Sequence, residues 1–379
     1  MPHLIVSTVG TSLLTNYVNR QKNQDLSLLF RDTANAGEKE LTSHQRDVID
    51  EIIGKVGAEL WNATHGELPQ LSAELRGLLG YYGRDFYSRT AGMDHHVLVS
   101  TDTYQGREAA RLLADHLERL GFNSVEILIP PGLSTRDCSS FTAGVNEVVK
   151  WCEQTLAGYR QHRYHIVFNL VGGFKSLQGY MNTLGMFYAD EIIYIFEAPS
   201  ADLIRIPRLP VVLDEIPVLQ EKAVLFALME NGYLAQEEEV KGIPEIYLDF
   251  DGEGSYTLST WGLLMWERHK QKILGSDQLL PFPALVYERS FEKDFLDITD
   301  KARRADIQTT LAKVSLLFRE QGLAGLRKDG GLLYETYEGR PGNIGHFRLN
   351  QDWRVSCRSE GSILRLRHVG PHDYVNGNP

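Results

Sequence analysis

Cysteine is scarce: Cys138, Cys152 and Cys357 are too few and too scattered among 379 residues for a disulfide framework or a zinc motif. The expected compartment is therefore the reducing cytosol. No apolar run approaches the roughly 18 to 20 residues that a membrane helix needs, and Met1 leads straight into HLIVSTVG rather than a signal peptide, so no membrane partner is expected. The spacing G-x-x-x-x-G-K-[ST] is missing because Phe174 precedes Lys175, and no G-x-G-x-x-G follows the first apolar run. A nucleotide triphosphatase and an NAD enzyme are disfavoured on that ground. Internal repeats and low-complexity tracts are lacking too.

Lysine is absent from residues 340–379, which nevertheless carry six arginines against three acidic groups. Residues 1–280 run the other way, with 24 basic against 37 acidic side chains, whereas 281–379 hold 15 against 13, so net charges of -13 and +2 make up the total of -11. A polyanion is repelled by most of this chain and drawn to one end.

Read with a period of two, that end separates into faces. Phe347 and Leu349 oppose His346 and Arg348; Trp353, Val355 and Cys357 oppose Arg354, Ser356 and Arg358; Leu364, Leu366 and His368 oppose Arg365 and Arg367. Gln351-Asp352 and Glu360-Gly361 are turn signals. An antiparallel meander is predicted, presenting His346, Arg348, Arg354, Arg358, Arg365 and Arg367 together, with His372 and Tyr374 just beyond the last strand. Arginine is ordinary on a solvated sheet face. The sign imbalance is what points to RNA.

The first two hundred residues alternate apolar runs (4–10, 96–102, 124–132, 164–173, 191–199) with amphipathic stretches near 104–120, 139–157 and 174–188. Continuous apolar strands separated by helices predict a parallel sheet covered on both faces, a doubly wound α/β domain. Ligands of such folds sit beyond the carboxyl ends of the strands. Those ends read VGTSLLTN (9–16), STDTYQG (100–106), GLSTRD (132–137) and NLVGGFKSLQG (169–179), rich in glycine and hydroxyls, with Lys175 and Ser176 opening a helix. A phosphate there gains about 0.3 to 1 kcal/mol from the helix dipole. The same residue types also cap helices in any fold of this kind.

A first strand ending VGTSL and a later one running into NLVGGFKSLQGYMNTLGMFYADEIIYIFE resemble the CARF domains of CRISPR-associated effectors over about residues 1–212. The resemblance implies a Rossmann-like sensor in which two chains form a homodimer around one cyclic oligoadenylate, most often the tetra-adenylate. Carried onto this chain, it implies ligand contacts from Gly10, Thr11, Ser12, Asn169, Gly173, Lys175 and Ser176, with Thr101, Thr135 and Arg136 in the neighbouring loops. The long insertion at about 17–94 departs from the plain pattern.

Residues 213–278 read as a winged-helix-like connector: helix at 218–231, strand EIYLDFD (245–251), then WGLLMWERHKQKIL (261–274). Its Glu237, Glu238, Glu239, Glu245, Asp249, Asp251 and Glu253 suit a relay better than a phosphate backbone. Trp261 and Trp266 read as core or dimer contacts.

From 279 to 379 a strand LVYERSF, two charged helices over 291–321 and the basic meander resemble the RelE and HigB toxins, α+β ribonucleases that cut messenger RNA on the ribosome without a metal or other catalytic cofactor. The resemblance implies catalytic positions at His346, Arg348, Arg354, His372 and Tyr374, with Arg358, Arg365 and Arg367 holding RNA. The expected reaction is attack of a ribose 2'-hydroxyl on the adjacent phosphate, giving a 2',3'-cyclic phosphate and a 5'-hydroxyl; His372 is expected to transfer protons, with His346 or Tyr374 as partner. Two R-x4-6-H spacings, Arg89 to His95 and Arg340 to His346, fit a HEPN nuclease motif by number but lie among glycine, proline and aspartate, not on helices. His95-His96 lacks a third ligand at sensible spacing. The combined expectation is a cyclic-oligoadenylate-gated endoribonuclease acting on ribosome-bound messenger RNA, with a ligand-responsive transcription regulator and a ring-cleaving enzyme as alternatives.

Overall fold

The computed structural model describes residues 1–88, 91–195, 202–210, 217–337 and 344–378. The chain divides into two compact units, Met1–Leu213 and Asp214–Pro379.

In the first unit a six-stranded sheet has the spatial order Ser124–Leu128, His95–Val99, His3–Thr8, His165–Asn169, Glu191–Ile195, Leu203–Pro207. The first five strands are parallel and the last is antiparallel at the edge. Burial on both faces explains the unbroken apolar runs: Leu4, Ile5 and Val6 are wholly enclosed, as are Ile166, Val167 and Phe168. The expected helices appear at Tyr104–Arg119, Cys138–Trp151 and Lys175–Tyr188, the first two capped by Thr103 and Asp137 side chains accepting from Gly106 and Ser140 amides. This is a mixed α/β unit compatible with a Rossmann-like fold. The insertion is itself helical, with Gln24–Asp32, Ser43–Asn62, Leu68–Leu71 and Ala73–Tyr82, and its Ile49, Ile53, Val56, Leu75 and Leu78 join the core that holds Ile5 and Leu98.

The second unit holds two sheets. A small one orders Ala235–Gln236, Ser255–Leu258 and Leu248–Phe250, beside helices Ala223–Glu230 and Thr260–Leu274. A larger one orders Leu285–Tyr287, Ile363–Pro371, Trp353–Glu360, Ile344–Arg348 and Glu335–Thr336, and its central meander is antiparallel. Helix Lys301–Lys328, interrupted at Gly322 with φ of 59°, packs against Thr260–Leu274. Buried Gln308 joins these segments by donating to the Leu274 carbonyl at 2.7 Å while accepting from the Leu280 amide at 2.8 Å.

One expected facing is overturned. Strand Ile363–Pro371 bulges: Leu366 lies opposite Cys357, His368 opposite Ser356, and Arg367 is the extra residue. An extra residue reverses the side on which everything after it points. His368 therefore leaves the apolar face and joins His346, Ser356, Arg348 and Arg354, while Val369, opposite Val355, turns inward. The Ser290 hydroxyl donating to the Arg367 carbonyl at 2.6 Å holds the bulge.

Among the described residues no helix is long and apolar enough to cross a membrane. Trp266 is wholly buried, stacked on Phe226, and donates from Nε1 to Glu230 at 2.6 Å. Lys270 beside it serves two carboxylates, Glu230 at 2.6 Å and Glu267 at 2.7 Å. Burial lifts Glu267 from 4.5 to about 7, against the pull of Lys270. The native state thus keeps a proton that the unfolded chain has released, so stability falls as pH rises from about 4.5 to about 7 and stays low above. Glu267→Gln should raise stability at pH 8 by about 1 to 3 kcal/mol and leave it nearly unchanged at pH 4; urea midpoints at the two pH values measure this.

Candidate functional site

Each unit carries one candidate site. In the first, strands His3–Thr8 and His165–Asn169 lie side by side, and the helices following them depart in opposite directions along the sheet, which makes this the crevice where α/β sheets bind ligands. The loops beyond the two strands touch backbone to backbone: a side chain on Gly10 would meet Gly173 at 3.1 Å, and Gly173 has φ of 96°. The Thr8 hydroxyl donates to the Gly172 carbonyl at 2.5 Å. Lys175 and Ser176 are exposed at the start of a 14-residue helix whose preceding residue, Phe174, supplies no side-chain cap, so its first amides face outward.

The insertion sends a carboxylate into this crevice. Glu74, 1% exposed, accepts from the Gly10 amide at 2.8 Å, the Ser12 hydroxyl at 3.0 Å and the Ser72 hydroxyl at 2.6 Å. Asn169 is buried and donates to the Ser7 hydroxyl and the Glu74 carbonyl, both at 3.1 Å. Thr11 is half-buried and its carbonyl starts the following helix. Thr101 is buried against the Thr103 hydroxyl at 3.0 Å. Thr135 donates to Asn35 at 2.7 Å, and Arg136 reaches Glu40 and the Asn35 carbonyl. Of the ten expected contacts, Lys175, Ser176, Gly173 and Thr11 are thus gathered at the crevice; Gly10, Ser12 and Asn169 border it but bond to the insertion or the strand beside it, Thr101 is turned to Thr103, and Thr135 and Arg136 bond to the loop at 35–40. No local signal marks Glu74, which is more than sixty residues in sequence from the Gly10 amide and the Ser12 hydroxyl that it holds.

At the opposite edge of that sheet a cavity of about 370 Å3 is lined by His3, Tyr81, Tyr82, Asp94 and Arg205, among others. Asp94 binds the His3 amide at 2.7 Å and the Tyr82 hydroxyl at 3.0 Å, and burial lowers the His3 imidazole. His96 is buried nearby, and His95 bonds Tyr159 and Tyr164. Among the described residues no cluster of His, Cys, Asp or Glu is arranged to hold a metal ion. Arg89 and Arg340, which opened the R-x4-6-H spacings, lie outside the described residues.

In the second unit the expected residues come together on one sheet face in two rows. Across the strands, His346, Ser356 and His368 are in register, and beside them Arg348, Arg354 and Gly370. Helix His372–Gly377 folds back over this face. Tyr374 lies against Gly370, where an added side-chain carbon would meet its ring at 2.8 Å, and Asn376 accepts from the Tyr337 hydroxyl at 2.9 Å while donating to His372 Nε2 at 3.0 Å. The Tyr337 ring in turn meets His346 edge-on, at 4.7 Å between centroids. The face is consequently half-covered: His346 is 6% exposed, Arg354 9% and Ser356 not at all. Among the described residues His346 Nδ1, Arg354 Nε and the Ser356 hydroxyl have no partner.

Electrostatics follow from that burial. Desolvation first, then the Arg354 charge, hold the His346 imidazole below its ordinary 6.5, so it is neutral at pH 7. Among the described residues no carboxylate pairs with Arg348 or Arg354. The outer arginines differ: Arg358 and Arg365 share Glu360, and Arg367 faces Glu288 at 3.6 Å. His372, more exposed, has Asp373 at 2.7 Å from Nδ1. Tyr374 donates to Asp294 at 2.7 Å, and burial with this bond raises its hydroxyl to about 12. Ser356, Tyr337, Asn376 and Asp294 went unrecognised in the sequence, and His368 was assigned to the wrong face.

Residues 69–209 match a family described as CRISPR-associated protein (Cas_APE2256). The matched stretch covers the last helices of the insertion and every strand of the first sheet except His3–Thr8, and ties that part of the chain to CRISPR-associated proteins. No curated protein matches the chain.

Glu74→Ala should strand the Gly10 amide and two hydroxyls in a buried place, at a cost of about 1 to 3 kcal/mol for each unmatched group that water does not reach. A clear fall in thermal midpoint is expected; a variant as stable as the parent would mean that this carboxylate does not hold the crevice together.

Proposed function

We propose that this protein is a CRISPR-linked effector in which a cyclic oligoadenylate, the tetra-adenylate first among them, binds a homodimer of the first unit and switches on RNA cleavage by the second. The family match over residues 69–209 supports the first half of this reading. The second half is carried by one observation: His346, Arg348, Arg354 and His372 converge on one sheet face, Arg348 paired with Arg354 across the strands, His346 in the adjoining row, and His372 linked to His346 through Asn376 and Tyr337.

At the sensor, the open amides before Lys175–Tyr188 and the Lys175 ammonium meet a ligand phosphate, with Ser176 and Thr11 alongside. Gly10, Ser12 and Asn169 border the crevice through their bonds to Glu74 and Ser7, while Thr101 is turned to Thr103 and Thr135 and Arg136 are held by the loop at 35–40. At the sheet, a transcript phosphate lies beside Arg354 and Arg348. The 2'-oxygen bonds to phosphorus as its proton passes to an imidazole on the same face, the bond to the 5'-oxygen breaks, and that oxygen takes a proton from His372. Arg348 and Arg354 stabilise the phosphorane, which gains negative charge where two guanidinium groups have no carboxylate of their own among the described residues. Arg358, Arg365 and Arg367, already ion-paired, guide the strand instead. Cleavage occurs on the ribosome in the cytoplasm and uses neither metal nor catalytic cofactor.

Incubating the protein with each cyclic oligoadenylate, and offering naked RNA and translating ribosomes in parallel, tests both halves. Cleavage confined to the arm with ligand and ribosomes is expected, and strong cleavage of naked RNA without ligand contradicts the gate. His372→Ala should slow cleavage about 10²- to 10⁴-fold with ligand binding unchanged, and Lys175→Ala should weaken binding of the cyclic tetra-adenylate in titration calorimetry while leaving the sheet intact.

A further inference from the structure

The bulge at Arg367 puts a third imidazole on the basic face, and its surroundings differ from those of the other two. His368 Nδ1 lies 2.8 Å from Asp294 Oδ2. The same carboxylate accepts from the Val369 amide at 3.2 Å and, on its other oxygen, from the Tyr374 hydroxyl at 2.7 Å. Both oxygens are therefore fixed, and Asp294 holds the ring rather than reacting. An imidazole that gives its Nδ1 hydrogen to a carboxylate keeps its lone pair on Nε2. Among the described residues nothing bonds to His368 Nε2, and the side chain is 20% exposed.

The alternatives are less suited. His372 has its Nε2 lone pair taken by the Asn376 amide, so it is not free to accept a proton there, and in the reading above it is the donor to the 5'-oxygen. His346 is enclosed against Tyr337 with one nitrogen unpartnered. Tyr374, with its hydroxyl raised to about 12, is a hydrogen-bond donor to Asp294 at neutral pH. His368 alone is oriented on one side and open on the other, in register with the unpartnered Ser356 hydroxyl and two residues from Gly370, which lies opposite Arg354.

We propose, resting on the ribonuclease reading above, that His368 is the group that takes the 2'-hydroxyl proton, and that Asp294 is its positioning residue, with Tyr374 acting through Asp294 and not on the substrate. As the bond from 2'-oxygen to phosphorus forms, the proton passes to His368 Nε2. Asp294 faces the imidazolium so produced, in the way a buried carboxylate supports a catalytic histidine. The bond to the 5'-oxygen breaks and that oxygen takes a proton from His372; one proton enters the site as another leaves it. The titratable and charged groups around the ring are Asp294 on Arg289–Asp297, the Tyr374 hydroxyl of the terminal helix at 3.2 Å from Nδ1, Arg367 with Glu288 at the bulge, and His346 across the sheet.

The test uses the full chain with cyclic tetra-adenylate and translating ribosomes. His368→Ala should lower the single-turnover cleavage rate about 10²- to 10⁴-fold with little change in half-saturating RNA concentration, and added imidazole should restore part of the loss. Asp294→Asn, which keeps the shape but exchanges the acceptor, should lower the rate less and move the alkaline-rising limb of the pH profile, an effect that a packing role would not give. Tyr374→Phe should be milder than either. Should His368→Ala fold poorly by circular dichroism, His368→Asn and Asp294→Asn carry the same comparison. If the parent cleaves and Arg354→Ala is inactive while both His368 variants keep the parental rate, the assignment to His368 is wrong and the ribonuclease reading stands. If the parent leaves every RNA intact with every ring size, both fall.

Discussion

A carboxylate withdrawn from water has to be met by donors, and the way three of them are met organises both units. Glu74 gathers an amide and two hydroxyls, which binds the insertion to the end of the first strand. Asp294 gathers an amide, a hydroxyl and an imidazole, which ties helix Arg289–Asp297 to the last strand and to the terminal helix. Glu267 is met by half, with one oxygen on Lys270 and the other without a partner. The two that are satisfied sit where ligand chemistry is proposed. The third sits where helices pack, and titrates.

Much of the fold could be read from local pattern, because strands buried on two faces have to be apolar throughout and helices between them have to be amphipathic. The runs at 4–10, 96–102 and 164–173 overlap the strands His3–Thr8, His95–Val99 and His165–Asn169, and the meander at the end has its turns where Gln351-Asp352 and Glu360-Gly361 stand, with Gly361 at φ of 62°. Strand Leu203–Pro207 was missed because its second half is exposed and it lacks the enclosed character of the others. Strict alternation puts His368 on the apolar face, whereas the fold puts it on the other. A period of two holds only while the ladder is regular, and the bulge at Arg367 is decided by tertiary contacts with Ser290 and Glu288, some eighty residues earlier. Glu74 escaped for the same cause: nothing in the letters around it says which loop it will reach.

Arginines equivalent in the sequence become distinct in the fold. Arg358, Arg365 and Arg367 each face an acidic side chain, so their charge is largely spent locally and they contribute chiefly a screened, salt-sensitive attraction. Arg348 and Arg354 face none among the described residues, and Arg354 is also desolvated, where a guanidinium field acts at lower effective dielectric. The positive end of the chain is thus less a uniform patch than a pair of arginines within a ring of neutralised ones. That arrangement favours one phosphate in one place over a polyanion lying anywhere across the sheet.

The same half-covered face explains why burial there does not count against an RNA site. His346 Nδ1, Arg354 Nε and the Ser356 hydroxyl are enclosed without partners among the described residues, each at a cost of about 1 to 3 kcal/mol that ordinary packing would have removed. Three such groups side by side, under a helix of six residues fastened through Asn376 and Tyr374, are a set of donors and acceptors prepared in advance of what will use them. A phosphodiester oxygen that reached Arg354 and Ser356 would recover that cost on arrival, and it would do so most fully as negative charge grows on the phosphorane. Preorganised donors of this kind are what lowers a barrier, because the protein need not reorient them when the charge appears. The strain in the resting face and its proposed reactivity are then one property, set by how Tyr337, Asn376 and Tyr374 hold the terminal helix across the strands.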